Sequence, residues 1–255
     1  MARLLAAART DVGMIRSGNE DSYAVDVQRD RGLFVVADGM GGHAAGEVAS
    51  EMAVQTVERE LKGVAKNLDD ETAANKVTDA LRKANRSIHD RTITEVDKQG
   101  MGTTASVLLL SPNRYLIGQV GDSRVYLLRE GALTQLTKDH SYVQEQVDAG
   151  FLTPEQARYH PYSNVITRCV GASPDVEPDV YSGEVKIGDI FLVASDGLTG
   201  MVDDRRLQML LMSRVPPENK VTNLIKEANG RGGLDNITAI VVQVLPDEEQ
   251  DSAKT

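Results

Sequence analysis

Three apolar or β-branched runs follow one another in the middle of the chain, with a short turn after each of the first two. The runs are residues 103–110, 114–120 and 124–128, and the turns are Ser111-Pro112-Asn113 and Gly121-Asp122-Ser123. Consecutive strands joined by short turns pair antiparallel, because parallel strands need a long crossover. We therefore predict an antiparallel sheet in this region, with Asp122 in a solvent-facing hairpin turn.

The rest of the chain divides into further strands and amphipathic helices. Apolar residues at helical spacing predict two long helices, adjacent and antiparallel, at residues 49–61 and 73–88. Strands are predicted at residues 1–9, 33–37, 190–194 and 237–244, and a helix begins at Pro217. This order indicates an α+β fold in which sheets pack face to face with helices outside. We expect one domain over residues 1–245 and a polar, disordered tail over residues 246–255.

The composition excludes some classes of partner. Lys plus Arg number 28 and Asp plus Glu 38, so the formal net charge is −10 and a nucleic-acid partner is disfavoured. No stretch approaches the ~20 apolar residues of a membrane-spanning helix. The single cysteine, Cys169, allows no intrachain disulfide, which fits a reducing, cytoplasmic location.

Four aspartates stand beside apolar strands or in tight turns. Asp38, Asp196 and Asp235 adjoin apolar strands, and Asp122 lies in the turn described above. A single Asp-Gly pair is usually an ordinary turn. Four carboxylates drawn together at strand ends would repel one another unless a positive ion lay between them. A hard divalent cation with oxygen ligands is the natural occupant of such a site.

Three neighbouring segments extend this pattern. Residues 16–21 place one cation and two carboxylates before a strand, residues 38–43 form a glycine-rich corner, and Met101-Gly102-Thr103-Thr104 opens another strand. Further ordered matches are residues 120–124, 136–141, 195–198 and 235–238. In this order the segments resemble the type 2C, metal-dependent serine/threonine protein phosphatases in their bacterial form. The resemblance runs from about residue 7 to residue 244.

The resemblance implies a fold, a reaction and a set of cofactors. The fold is a four-layer sandwich of two central antiparallel β-sheets flanked by pairs of α-helices, with a dimetal site at one end of the sheets. The reaction is hydrolysis of phosphoserine and phosphothreonine on proteins by metal-activated water, without a covalent intermediate. The cofactors are Mn²⁺ or Mg²⁺, as two core ions and a weaker third. A mobile flap at roughly residues 144–175 lies over the site.

The resemblance also assigns metal binding to residues of this chain. The ligands it implies are Asp38 as the bridge between the core ions, the Gly39 carbonyl on the second ion, Asp196 and Asp235 on the first, Glu20 and Asp21 through water, and Asp122 with Asp196 on the third. The expected partners are phosphorylated proteins, among them a serine/threonine kinase and its substrates, and we expect a monomer.

The catalytic residues it implies are Arg16, Asp38 and, with one departure, a histidine. Arg16 would grip the substrate phosphate, because a planar guanidinium can bind two oxygens at once. Eukaryotic relatives carry a general-acid histidine directly after the Asp-Gly pair, and here that position is Met40. His43 is our candidate for the acid, with a local hydrogen bond at the helix entry as the alternative. His140 is predicted to brace a loop.

Other functions compete with this interpretation. Residues 33–44 mimic a dinucleotide fingerprint, but Asp38 would oppose the pyrophosphate and the helix leads into a second helix instead of a strand. A catalytically silent binding module with the same fold would be expected to lack metal carboxylates, and here all are present. A hydrolase of small phosphate esters is the remaining alternative, which the sequence leaves open.

Overall fold

Two antiparallel β-sheets form the centre of the structure, a computed structural model that describes residues 2–41, 45–68 and 71–247. In pairing order, the first sheet contains β1 (Ala2–Asp11), β11 (Ile237–Pro246), β10 (Ile190–Ala194), β7 (Arg124–Arg129) and β8 (Ala132–Gln135). The second contains β2 (Asp21–Gln28), β3 (Arg31–Met40), β5 (Ala105–Leu110), β6 (Arg114–Val120) and β9 (Asp179–Glu184), and the short β4 (Gly102–Thr103) pairs with the end of β3.

Helices cover the outer faces of both sheets. The second sheet is covered by α1 (Ala45–Leu61) and α2 (Glu71–Thr94), and the first by α5 (Asp196–Thr199), α6 (Asp204–Met212) and α7 (Pro217–Gly230). The helices α1 and α2 run antiparallel, as predicted, because Glu60 contacts Lys83 whereas Met52 contacts Arg91. Two short helices, α3 (Tyr142–Asp148) and α4 (Pro154–Arg158), lie in or overlap the segment predicted to be the flap.

Three separate layers of apolar side chains hold these elements together. Strand β3 shows how they arise, since Val35 and Ala37 join the layer under α1 and α2 while Phe34 and Val36 join the layer between the sheets. A third layer joins the first sheet to α6 and α7. Burial on both faces explains why β3 is a continuous apolar run instead of an alternating one. The four-layer α+β sandwich is therefore confirmed.

The turn that contains Asp122 is not a hairpin, so that prediction was wrong. Strand β6 pairs with β5 and β9, whereas β7 pairs with β10 and β8 in the other sheet. The turn therefore crosses between the sheets. Its carbonyl groups are satisfied by a buried side chain, since Gln119 Nε2 donates to Gly121 O at 3.1 Å and to Ser123 O at 2.7 Å. Asp122 is consequently buried, with 5% of its surface exposed.

The ends of the chain compare with the prediction as follows. Strand β1 was predicted, and α7 begins at Pro217 as expected. Strand β11 continues to Pro246, the first residue assigned to the tail, and residues 248–255 of the predicted tail lie outside the described residues. Within the described part of the chain, no helix has the length and apolar content required to cross a membrane.

Candidate metal centre

Five aspartates converge at one end of the two sheets. Asp21 and Asp38 are directly paired between β2 and β3. Asp196 lies two residues after the end of β10, Asp235 lies two residues before β11, and Asp122 lies in the turn that crosses between the sheets. The strand ends therefore bring together carboxylates that are up to 214 positions apart in sequence, since 235 − 21 = 214.

Two threonines fix the backbone of Asp38. Thr104 Oγ1 accepts a hydrogen bond from Asp38 N at 2.9 Å, and Thr103 Oγ1 and Thr104 N each donate to Asp38 O at 2.9 Å. Because both backbone polar groups are satisfied in this way, the Asp38 carboxylate remains available to the centre of the site. The Gly-Thr-Thr segment singled out in the sequence is therefore a support for Asp38.

Asp21 is locked between the sheets by two hydroxyl groups. Ser195 Oγ and Thr238 Oγ1 donate to Asp21 Oδ2 at 2.8 and 2.6 Å. The other oxygen, Asp21 Oδ1, is buried and has no hydrogen-bond partner. One half of this carboxylate is thus held in place while the other half faces the neighbouring aspartates.

Close backbone packing explains the glycine at position 39. A Cβ atom on Gly39 would lie 2.1 Å from Gly46 O and 2.6 Å from Glu20 O, so no other residue fits without displacing the start of α1. A Cβ on Gly46 would in turn lie 2.9 Å from Glu20 Oε2. The Glu20 carboxylate therefore sits at the first turn of α1, where the partial positive charge of a helix N-terminus favours it.

The electrostatics of the cluster are those of an uncompensated group of acids. Burial raises the pKa of Asp38 well above its ordinary value, and the negative charges of Asp21, Asp196 and Asp122 raise it further. Burial raises the pKa of Asp21 to about 7 against the opposing effect of its two hydroxyl donors. Burial, followed by the charge of Asp235, raises the pKa of Asp196. Such a set of groups stays ionised at neutral pH only with added positive charge.

The donor set fits hard divalent cations. Asp21 Oδ1, Asp122 Oδ1 and Asp196 Oδ1 are buried without a hydrogen-bond partner, and such carboxylate oxygens are costly unless a cation or a donor reaches them. In the described part of the chain, no three Asp, Glu, His or Cys side chains are placed to hold one metal ion between them. A cation that keeps several waters, as Mg²⁺ does, does not require such an arrangement.

Arg16 is an exposed cation that contacts one member of this cluster, Asp235. Its Nη2 donates to Asp235 Oδ2 at 2.7 Å, and its side chain is 51% exposed. The pKa of Arg16 is lowered by burial, but the charges of Asp235, Glu20 and Asp38 outweigh this effect, so its net pKa is raised. A half-exposed guanidinium beside a carboxylate cluster can meet an anionic ligand that arrives from solvent.

A second cation, Arg124, was not singled out from the sequence. It forms a bidentate ion pair with Asp139, in which Nη2 donates to Oδ2 at 2.7 Å. Its charge lowers the pKa of both Asp122 and Asp196, against the larger effect of burial. The adjacent His140 accepts a hydrogen bond from Gly121 N at its ring atom Nδ1 (3.0 Å), and the backbone N–H of His140 donates to Gly121 O at 2.9 Å. The sequence signal for this support was the run Asp139-His140-Ser141, read only as a loop brace.

The predicted site residues are distributed as follows. Those with ionisable side chains that the structure describes are all connected to one another by electrostatic interactions. They are Arg16, Glu20, Asp21, Asp38, Asp122, Asp196 and Asp235. Gly39 adjoins Asp38 on β3. His43 lies outside the described residues. His140 is too far embedded in the loop beside Asp122 to be a free general acid, since it is 6% exposed and burial lowers its pKa.

Comparison with known proteins gives consistent results. A family model described as Protein phosphatase 2C matches residues 15–227. Serine/threonine phosphatase stp of Listeria monocytogenes is 38% identical over 239 residues, which are 93% of this chain and 95% of that protein. Protein phosphatase PhpP of Streptococcus pneumoniae is 39% identical over 246 residues, 94% and 98% of the two chains. The crystal structure of the catalytic domain of PstP with two manganese ions superposes with a TM-score of 0.85 at 38% identity, covering 96% of this chain and all of that one.

Proposed function

The chain belongs to the protein phosphatase 2C family, and we propose that it removes phosphate from phosphoserine and phosphothreonine in proteins with the help of Mn²⁺ or Mg²⁺. The observation that carries this proposal is the buried carboxylate cluster with three unpartnered oxygens beside the exposed Arg16. Phosphate monoesters hydrolyse extremely slowly in water, so a large stabilisation of the transition state is required. A dimetal site supplies it by activating a water molecule and by offsetting the negative charge of the phosphate.

The residues of the cluster have separate tasks in this proposal. Asp38 interacts electrostatically with Asp21, Asp196 and Asp122. It would hold both core ions, with the Gly39 carbonyl on the second and Asp196 and Asp235 on the first. Glu20 and Asp21 act through water, which agrees with an Asp21 whose Oδ2 already accepts two hydroxyl donors. Asp122 and Asp196 hold the weaker third ion, which agrees with their electrostatic interaction.

Arg16 binds the phosphate group in this proposal. Its guanidinium is within hydrogen-bonding distance of one candidate metal ligand, so a phosphate held there would also lie beside the ions. A fork of two N–H donors fits two phosphate oxygens and orients the ester bond. The leaving alkoxide needs a proton, and His43 remains our candidate for its donor.

The biological setting follows the same proposal. The substrates are phosphorylated proteins, including a serine/threonine kinase and its targets, and the protein acts as a cytoplasmic monomer. The single cysteine, Cys169, supports the reducing compartment. We propose one catalytic domain over residues 1–245, with the segment 144–175 as a flap over the site.

Release of phosphate from a phosphothreonine peptide tests the function. We expect turnover with added Mn²⁺ and none after metal stripping in excess chelator, with recovery when Mn²⁺ is restored. An Arg114→Gln variant serves as a control, because Arg114 begins β6 and contacts Ser182 on β9, away from the aspartate cluster. Full turnover in chelator would contradict the dimetal proposal, and hydrolysis of small phosphate esters alone would favour the small-molecule alternative.

A further inference from the structure

Exposed apolar side chains lie beside the Arg16–Asp235 ion pair, on two chain segments that run next to each other. Met14 N donates to Gly233 O at 2.7 Å, and two residues later on each segment Arg16 contacts Asp235. Ile15 and Leu234 stand between these two contacts, one on each segment, and are 68% and 57% exposed. Met14, also exposed, lies against Gly233. We call Met14, Ile15 and Leu234 the apolar rim.

Hydrogen bonds from a buried side chain hold the loop that carries the apolar rim. The buried Asn236 donates from Nδ2 to Val12 O and to Gly18 O, both at 2.9 Å, and accepts from Glu20 N at 2.8 Å. The inside of the loop is therefore filled by an amide group, which leaves its apolar side chains on the outside. A rigid, exposed apolar surface next to a binding site is typical of an interface, because little conformational entropy is lost there when a partner binds.

The position of the rim determines which ligand it can meet. We propose that the apolar rim binds apolar side chains directly next to the phosphorylated residue of a protein substrate, an inference that rests on the proposed phosphatase function. Ile15 and Leu234 are the chain neighbours of Arg16 and Asp235, and neighbouring Cα atoms are ~3.8 Å apart. A peptide whose phosphate contacts Arg16 therefore places its flanking residues, which rise ~3.3 Å each when extended, over the rim.

The net charge of the chain supports an apolar contact here. With a formal net charge of −10, the protein as a whole repels an anionic phosphopeptide, and Arg16 attracts it only locally. Apolar contacts do not depend on this field, and they select substrates by the residues around the phosphate. The rim would thus distinguish phosphoproteins from one another, whereas the cluster of aspartates acts on any phosphate monoester.

Three substrates test the proposal: a phosphothreonine peptide with Leu on both sides, the same peptide with Ser on both sides, and p-nitrophenyl phosphate. Wild-type protein should have the higher kcat/KM on the Leu-flanked peptide. For the double variant Ile15→Thr/Leu234→Asn, we expect the kcat/KM on that peptide to fall roughly tenfold more than on p-nitrophenyl phosphate. Ile187→Thr is the matched control, because Ile187 is 57% exposed and lies near Pro112 and Asn113 at the other end of the sheets.

The possible outcomes separate this proposal from the proposed function. Equal wild-type kcat/KM on both peptides, or equal losses of the double variant on all three substrates, would overturn the rim as a docking surface while the phosphatase activity stands. Dimeric wild-type protein that becomes monomeric in the double variant, with unchanged peptide preference, would assign the rim to self-association and also overturn the proposal. Absence of turnover on all three substrates would reject the phosphatase function and the rim with it.

Discussion

Arg16 and Asp235 form an ion pair across 219 residues of sequence, with Nη2 2.7 Å from Oδ2. The residue proposed to bind phosphate, Arg16, is therefore in direct contact with a proposed metal ligand, Asp235. A carboxylate that accepts a hydrogen bond from a guanidinium shares its negative charge between the guanidinium and any metal ion. Binding of phosphate at Arg16 and binding of metal at Asp235 should consequently influence each other.

Replacement of Arg16 tests this relationship. In Arg16→Ala we expect the KM for a phosphothreonine peptide to rise roughly 30-fold, from the loss of about 2 kcal/mol of charge-assisted hydrogen bonding. The Mn²⁺ affinity, measured by calorimetry without phosphate, should not decrease, because Asp235 loses a competing cation. A marked decrease would show instead that Arg16 orients Asp235 for the metal.

Replacement of Asp38 should change activity and metal-free stability in opposite directions. Asp38→Asn removes the proposed bridging ligand, so turnover with Mn²⁺ should fall to background. Without metal, an Asp at this position must take up a proton or carry a charge among repelling carboxylates when the chain folds at neutral pH, and Asn requires neither. In chelator the melting temperature should therefore rise by a few degrees, since about 1 kcal/mol corresponds to roughly 2–4 °C in a domain of this size. An unchanged or lower melting temperature in chelator would argue against repulsion within the cluster.

The pH dependence of the stability of the metal-free protein should reveal the raised pKa of Asp21. Its pKa is raised to about 7 by burial, whereas an unfolded Asp titrates near ~3.9. The folded state therefore binds the proton more tightly, and this contribution to stability is complete below pH ~4 and is lost as the pH rises through about 7. In chelator, the melting temperature of wild-type protein should fall more steeply than that of Asp21→Asn between pH ~5 and about 7. Parallel curves would contradict the raised pKa.

His140 should control the position of Asp122. The Nδ1 atom of its ring accepts from Gly121 N, and the Nε2 atom lies 3.2 Å from Asp179 Oδ2 and 3.1 Å from Arg168 Nη1. The amide of Asn reaches the place of Nδ1, and that of Gln the place of Nε2. We expect His140→Asn to keep the affinity for the weakest Mn²⁺ ion and His140→Gln to lower it about fivefold, the equivalent of one ordinary hydrogen bond.

Calorimetric titration with Mn²⁺ measures this difference, and Asp122→Ala defines complete loss of the weak ion. The affinity for the two core ions should remain in all three variants, because His140 contacts none of Asp38, Asp196 and Asp235. Equal affinities in the Asn and Gln variants would show that the contact with Gly121 is not what positions Asp122.

The sequence predicts those parts of the fold and site that depend on local patterns. The apolar runs of β3, β10 and β11, and the helical spacing in α1, α2 and α7, each reflect burial of one face or both, so they were recognised. Among the elements that were missed, β8 and β9 are short and largely half-exposed, so their apolar pattern is weak, and α6 has only nine residues, of which Leu207 and Leu211 are buried. The positions of the carboxylates beside strands and turns singled them out, and the resemblance assigned their roles, but burial of Asp122 was not foreseen.

The remaining errors concern partners that are distant in sequence. The apolar run at residues 124–128 predicts a strand, but it does not show which strand pairs with it. The choice of β10 over β6 depends on the whole sheet, so the turn at Asp122 was assigned to a hairpin. The ion pair of Arg16 with Asp235 is of the same kind, because these residues lie 219 positions apart and no local pattern connects them. Such contacts form only in the folded chain, so the spacing of residues along the sequence does not predict them.

The pairing of β1 with β11 has a consequence for how the protein is made. Residues 2–11 form the edge of the first sheet, and their partner in it is residues 237–246, in a register that runs from Ala2 with Pro246 to Asp11 with Ile237. During translation β1 therefore has no partner in this sheet until residues 237–246 have left the ribosome. Pairings of such long sequence separation form slowly and leave strand edges exposed to aggregation while they are incomplete. Newly synthesised chains should for this reason depend on chaperones until β11 arrives.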